Sequence, residues 1–300
     1  MIPFIKYKNI FIGLTVIAVI AAIAAIAYFG LNPSIELTGG SILELQYQDT
    51  LPSKNAIFDA IKDLNLKEVS VYTVGTDGIS LRTQALTQEQ HSKLLEALQK
   101  TGSYQERSFE TVGPVISAEI KNKTILLIIV SLIAMMIYIA IAFRKVPGPI
   151  NSWVYGVSSF AILIHDVLVP LGVLAILGHF YGVQISIPVI TALLTVIGYA
   201  INNVIVVYDR LRENLMRNRK AAFSEIADLS INQTLTRQIN TSLATLLPVF
   251  AIYFLAGESL KYFALALILG IVCGTYSSIF LASQLLVIWI QARSRHLDKK

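Results

Sequence analysis

Asp166 sits inside an unbroken apolar run, Ala161-Ile162-Leu163-Ile164-His165-Asp166-Val167. If that run crosses a bilayer, an ionised carboxylate near its middle costs at least about 2.5–3.5 kcal/mol on insertion scales. Something has to offset that cost, and two roles fit. Asp166 is either a neutral or hydrogen-bonded group that knits helices together, or a titratable group on a proton or ion path. His165 precedes it and on a helix points about 100° away, which suits a proton relay or a packed neutral imidazole.

A second polar set falls within residues 195–214, T-V-I-G-Y-A-I-N-N-V-I-V-V-Y-D-R-L-R-E-N. Asn202 and Asn203 can hydrogen-bond across helices but cannot titrate. Asp209, Arg210, Arg212 and Glu213 end the run as a boundary set of charges. Farther on, Arg237, Asn240, Thr241, Ser242 and Thr245 give one side of another apolar segment a polar lining. Polar side chains in a membrane helix face protein or a water-filled cavity, because lipid leaves them unpaired. Both segments are therefore expected to wall a polar passage. Arg237 keeps its charge, so it is either the partner of a carboxylate or an anchor that snorkels to the membrane surface.

The elements that carry these groups follow from composition. Of 300 residues, 55% are hydrophobic and 14% charged, and the mean hydropathy is +0.65, too apolar for an ordinary soluble domain. The expectation is a polytopic α-helical membrane protein. Six stretches are long enough to span about 30 Å of hydrocarbon, at 10–29, 124–143, 153–177, 187–208, 239–256 and 262–290. The first lacks a cleavage site before Leu31 and reads as a retained helix rather than a signal peptide. The lone Cys273 lies in an apolar segment as a small core residue, so no cysteine-based metal cluster is expected and no metal or cofactor is implied. The net charge of +5 comes with no nucleic-acid motif.

Basic residues set the orientation. Lys6, Lys8, Arg144, Lys145, Arg210, Arg212, Arg217, Arg219, Lys220, Arg237, Arg293, Arg295, Lys299 and Lys300 fall on one side, which the positive-inside rule makes cytoplasmic. Both termini are then cytoplasmic and the insertion at 31–123 extracytoplasmic. The expected order is a cytoplasmic N-terminus and first helix at 1–30, then the insertion. Helices two to six follow at 124–290, with a cytoplasmic connector at 209–238 and a basic tail at 291–300. The insertion alternates strand and helix patterns, with strands at 41–48, 68–74, 79–83 and 104–112 and helices at 53–65 and 87–100. That order, β-α-β-β-α-β, is the ferredoxin-like pattern. It holds no Gly-rich phosphate loop and reads as a binding or lever domain. His91, on the polar part of its second helix, is expected to be solvated.

Five motifs in order then resemble the SecF family of bacterial protein export, related to the RND transporters. Leu37-Thr38-Gly39-Gly40 is similar to D-F-x-G-G, and Val112-Gly113-Pro114 with Ser117 and Glu119 to V-G-P-x-x-S-x-E. His165-Asp166-Val167 is similar to H-D-V, and Arg237 with Asn240-Thr241-Ser242 to R-x-x-N-T-S. The stretch from Gly198 through Asn202-Asn203 to Asp209-Arg210 and Arg212-Glu213-Asn214 resembles G-Y-S-x-N-D-x-x-V-x-F-D-R-x-R-E-N. The resemblance implies a six-helix half that works with SecD in the bacterial plasma (inner) membrane, where protons crossing the SecD–SecF interface move the extracytoplasmic domains. Preproteins are pulled from the SecYEG channel after the SecA ATPase has moved them partway. It implies a SecD-facing lining of Asn202, Asn203, Asn240, Thr241, Ser242 and Thr245, and hinges at Gly39, Gly40, Gly113 and Pro114. No Walker-type or other hydrolytic motif is present, so the chain is read as a translocation subunit and not an enzyme.

Two departures from the family pattern matter. Glu36-Leu37 replaces Asp-Phe, and Asn203 stands where the pattern has Asp. An amide cannot carry a proton, so coupling falls to Asp166, with Arg237 and His165 and with acids supplied by SecD. The alternatives are a non-conducting structural subunit of the translocon, which Asn203 favours, and an RND-like half of a small-molecule permease.

Overall fold

The computed structural model describes all residues except 49, 68, 147–149, 219 and 298–300. The first residue of the strand expected at 68–74, Arg219, Lys299 and Lys300 thus lie outside the described residues. The chain divides into a membrane unit, Met1–Asn32, Leu126–Val183 and Pro188–Lys300, and a sheet unit, Pro33–Ile125 with Gln184–Ile187.

In the sheet unit, a short turn of helix α2 (Ile35–Thr38) leads to β1 (Gly40–Tyr47), and α3 (Lys54–Ile61), β2 (Ser70–Val74), β3 (Gly78–Thr83), α4 (Gln88–Leu98) and β4 (Tyr104–Val112) follow. The sheet order is β2-β3-β1-β4 with every neighbouring pair antiparallel. Placing β3 between β1 and β2 is the split βαβ arrangement expected from the sequence. Alternating residues of β1 bury Leu43, Leu45 and Tyr47 against Ile57 and Ile61 of α3 and Leu94 and Leu98 of α4. Ser53 and Thr87 cap the two helices, the second as a reciprocal capping box with Gln90.

His91 is not solvated. It is 6% exposed, stacks on Phe109 at 3.8 Å and 10°, and its Nε2 lies 3.4 Å from Glu106 Oε1. Its position explains this, because His91 shares one face of α4 with Leu94 and Leu98, and an imidazole has an apolar flank to bury.

The Gly pair has a backbone reason. Gly39 and Gly40 take φ of +78° and +126°, and a Cβ on Gly40 would lie 2.6 Å from the Thr83 carbonyl oxygen. Gly113 follows β4, and Pro114 is the first residue of the next helix, where its missing N–H costs nothing. The segment Gln184–Ile187 pairs with the start of the unit: Ser34 N–H donates to Ile185 O at 3.1 Å, and Glu36 Oε2 accepts from Ile187 N–H at 2.7 Å.

The long helices are α1 (Lys8–Phe29), α5 (Pro114–Ala142), α6 (Ser152–Tyr181), α7 (Ile187–Arg217), α8 (Phe223–Leu255) and α9 (Glu258–Phe280), followed by α10 (Ala282–Leu297). Among the described residues six helical segments are long and apolar enough to cross a membrane, as expected from the sequence. Three boundaries differ. The helix expected from 124 starts at Pro114. The connector expected at 209–238 is split: its start continues α7 to Arg217, and from Phe223 it is one helix with the fifth span, α8, whose buried Ser230, Thr234, Gln238 and Ser242 repeat every four residues across the expected join. The sixth stretch breaks at Leu281 (φ −112°), just after Ser277 and Ser278 bond the carbonyls of Gly274 and Thr275, a local competition that bends helices.

In the membrane unit α6, α7 and α9 are buried most, whereas α1, α5 and α8 leave long apolar faces exposed. Close approaches are made at glycines. A Cβ on Gly172 of α6 would lie 2.5 Å from Ala22 Cα of α1, and one on Gly270 of α9 would lie 2.3 Å from Val196 Cγ2 of α7. Phe143, Tyr155 and Tyr208 stack and edge together at 5.2–5.6 Å in the core beneath.

Candidate functional site

Asp166 lies on the inner face of α6 and is 0% exposed. Both of its oxygens are engaged: Ser277 Oγ donates to Oδ2 at 2.8 Å, and His165 Nδ1 lies 2.8 Å from Oδ1. Those contacts are what offset burial of a carboxyl group in a low-dielectric interior. The expectation that His165 points away is corrected here. The ring turns back to its neighbour because one side-chain length suffices to reach it, and it remains 5% exposed with its ring centroid 6.1 Å from Tyr276.

Next to this pair runs a second buried polar row, on α8 and α9. Ser278 Oγ donates to Gln238 Oε1 at 2.5 Å, and Gln238 Nε2 donates to Thr234 Oγ1 at 3.3 Å. Ser242 Oγ exchanges with Thr275 Oγ1 at 2.6 Å and accepts from Tyr199 OH at 2.8 Å. Gln238, Ser277 and Ser278 were not among the functional candidates from sequence, although the four-residue repeat on α8 was a signal for Gln238.

The third feature is an open cleft of about 460 Å³ between the later part of α7 and the first half of α8. It is lined by Asn202, Asp209, Arg210, Glu213, Thr234 and Arg237, with Ile205, Val206 and Gln233. Arg210 pairs with Glu213 and donates from Nε to Gln233 Oε1 at 2.7 Å, while Arg217 reaches Glu213 at 2.7 Å. Arg212 lies 4.0 Å from Asp209.

The sequence candidates thus fall on two faces. Asn202, Arg237, Asp209, Arg210 and Glu213 meet at the cleft, and Asn240 and Thr241 continue the exposed face of α8. Thr241 and Thr245 bond carbonyls of their own helix, Arg237 O and Thr241 O. Asn203 and Ser242 are instead buried, at 2% and 4% exposure. Among the described residues no hydrogen bond or ion pair joins Arg237 to Asp166.

The chain matches, over residues 91–292, the family described as protein export membrane protein SecD/SecF, C-terminal, and over residues 25–50 the SecD/SecF GG motif. The chain belongs to the SecD/SecF family. Its Gly39-Gly40 pair lies in the second match, and every residue of the buried row and the cleft lies in the first. It is 37% identical over 302 residues to the protein translocase subunit SecF of Thermobaculum terrenum, covering 96% of this chain and 94% of that one. It is 36% identical to the protein translocase subunit SecDF of Thermus thermophilus, covering 91% of this chain and 37% of that longer one. The crystal structure of SecDF, a translocon-associated membrane protein from Thermus thermophilus, superposes with a TM-score of 0.84 at 33% identity over 96% of this chain and 38% of that one. A second crystal structure of SecDF, in a form called super-membrane-facing, gives a TM-score of 0.70 at 32% identity over 99% of this chain and 40% of that one. As a member of this family, the chain is a multi-pass membrane protein and a translocase subunit of the SecF type.

Proposed function

We propose that this chain is the SecF-type half of a SecD–SecF pair that uses the proton motive force to draw preproteins out of the SecYEG channel after SecA has moved them partway. Asp166 carries the reading: a carboxyl group fully buried within a span, with both oxygens held, in a chain with no hydrolytic motif. One charge moved through 100 mV is worth about 2.3 kcal/mol, enough for roughly a fiftyfold shift between two states of a lever. The exposed polar side chains of Asn202, Arg237, Asn240 and Thr241 support a protein partner, because polar groups within a span are covered by protein or water. SecDF relatives that join both halves in one chain support SecD as that partner.

In this reading both termini are cytoplasmic, since Lys6, Lys8, Arg144, Lys145, Arg210, Arg212 and Arg217 belong on one side of the bacterial plasma membrane. The sheet unit is then extracytoplasmic and handles the emerging preprotein. Gly39, Gly40, Gly113 and Pro114 flank it as joints.

The test is Asp166→Asn in complex with its SecD partner, reconstituted in vesicles with an imposed membrane potential. The variant is expected to lose potential-driven preprotein release and proton uptake while still assembling with the partner. A second reading, a non-conducting structural subunit, is favoured by Asn203 in place of the family Asp. Potential-dependent release by Asp166→Asn at the parent rate would select it.

A further inference from the structure

Two contacts fix how α7 lies along α9, and a third continues the offset to the first residue of α10. A Cβ on Gly270 would meet Val196, one on Gly274 would meet Ala200 at 3.0 Å, and Tyr208 OH donates to Ala282 O at 3.4 Å. Each pair differs by 74 in sequence, so the helices run side by side in one constant register. Interpolating that register sets Asn203 and Val204 opposite Ser277 and Ser278.

Asn203 is 2% exposed, and its Nδ2 has no hydrogen-bond partner among the described residues. A buried amide donor left unpaired costs about 1–3 kcal/mol, and buried groups of this kind are ordinarily satisfied by protein or by water. The surroundings offer what a water needs, two to four polar partners. In that register Ser277, whose Oγ is on Asp166 Oδ2, falls opposite Asn203, and Ser278, whose Oγ is on Gln238 Oε1, falls opposite the next residue.

We infer that a buried water bound at Asn203 joins Asp166 to a hydrated seam that runs past Ser278 and Gln238 to Thr234 and opens into the cleft between α7 and α8. This rests on the reading of Asp166 as the proton carrier and adds the way the proton leaves. The last link is a direct contact, since Thr234 both accepts from Gln238 Nε2 and lines the cleft. In the transfer, the O–H bond of the Asp166 carboxyl group breaks and a new O–H bond forms on water. The carboxylate that remains keeps the hydrogen bond from Ser277. The excess proton passes from water to water along the seam, past Ser278 and Thr234, to the cleft, where Asp209 and Glu213 face it. Gln238 does not take the proton; its amide holds Ser278 and Thr234 in line. Asn203 likewise positions water, which is work an uncharged amide can do.

The experiment reconstitutes the chain with its SecD partner in vesicles, imposes a potential and follows luminal pH with a trapped dye. Gln238→Leu and Asn203→Leu each replace amide by hydrocarbon of similar bulk and are expected to slow proton flux about tenfold or more. Asn203→Ala leaves space for water and is expected to conduct several times faster than Asn203→Leu. Co-purification with the partner checks folding of each variant. As a readout independent of flux, Ser278→Cys in a Cys273→Ala background is expected to react with a small water-soluble methanethiosulfonate, and adding Gln238→Leu is expected to suppress that reaction. If Asp166→Asn conducts like the parent, the reading of Asp166 fails. If Asp166→Asn is inactive while Gln238→Leu and Asn203→Leu conduct at the parent rate, or if the thiol introduced by Ser278→Cys stays unreactive, the proton leaves by another way and the seam is wrong.

Discussion

Replacing Gly270 by Ala tests the packing on which the polar interior depends. The added Cβ would fall 2.3, 2.6 and 2.9 Å from Val196 Cγ2, Cγ1 and Cβ, respectively. Ordinary carbon contacts are about 3.5–4.0 Å, so α9 must back away from α7 by about 1 Å or Val196 must leave its place. Rotating Val196 does not help, because its own Cβ is among the clashing atoms. Overpacking of this kind costs about 1–3 kcal/mol, and the better helix propensity of Ala returns about 1 kcal/mol. The net expectation is a loss of about 1–2 kcal/mol. Gly274→Ala meets Ala200 Cβ at 3.0 Å and Cα at 3.4 Å, with Asp166 Oδ2 at 3.7 Å, a milder crowding that should cost less than Gly270→Ala and supplies an internal comparison. Val196→Ala removes two of the three clashing atoms, so the pair Gly270→Ala and Val196→Ala should show a coupling of about 1 kcal/mol in a double-mutant cycle. The assay is SDS-driven unfolding of the full chain in mixed micelles, read by helix and tertiary signals. Additive mutations, or a Gly270→Ala no less stable than the parent, would refute the α7–α9 register and with it the placing of Asn203 opposite Ser277 and Ser278.

The sheet unit supplies two further tests. Gly40→Ala puts a Cβ 2.6 Å from Thr83 O at a φ of +126°, so it should cost at least about 1–3 kcal/mol and speed tryptic cleavage of the unit. An unchanged cleavage rate would deny the strained joint between α2 and β1. Tyr104 is pushed up to about 12 from 10.0 chiefly by burial, then by Tyr47 and Glu106, while its hydroxyl donates to Leu95 O at 2.6 Å. A raised folded value means its stabilisation is full below about pH 10 and is lost as pH climbs from there towards about 12. Tyr104→Phe should flatten that alkaline loss, and tyrosinate absorbance should lose a component with a midpoint of about 12; a Tyr104 midpoint near 10 would contradict the burial.

Much of this architecture was legible because hydrophobic runs and alternation are one-dimensional signals. The six spans and the β-α-β-β-α-β order came through, and the Gly39-Gly40 motif sits at the positive-φ joint. What did not come through depends on neighbours in space. His91 carried a helical face with Leu94 and Leu98 but looked polar by type, and only Phe109 across the unit gives its ring a stacking partner. His165 was set apart from Asp166 by helix geometry of the backbone alone, which ignores how far a side chain turns. Gln238 was passed over beside the more conspicuous Arg237, although its four-residue spacing with Thr234 and Ser242 marked it as interior.

Asn202 and Asn203, about 100° apart on α7, divide their labour by direction: the first lines the cleft and the second is buried. Arg237 and Gln238 repeat that division on α8, with the arginine at the cleft and the amide inside. Thr234 lies one turn before this second pair and belongs to both sides, as a cleft residue that accepts from Gln238. An outward and an inward polar residue on each of two neighbouring helices tie whatever covers the cleft to the interior row. A partner that draws α7 and α8 apart at Asn202 and Arg237 must also strain the Tyr199–Ser242 hydrogen bond that joins the two helices in the interior row, and one that presses them together must tighten it. Coupling between partner and proton then needs no ion pair from Arg237 to Asp166, only rigid helices that carry both faces at once.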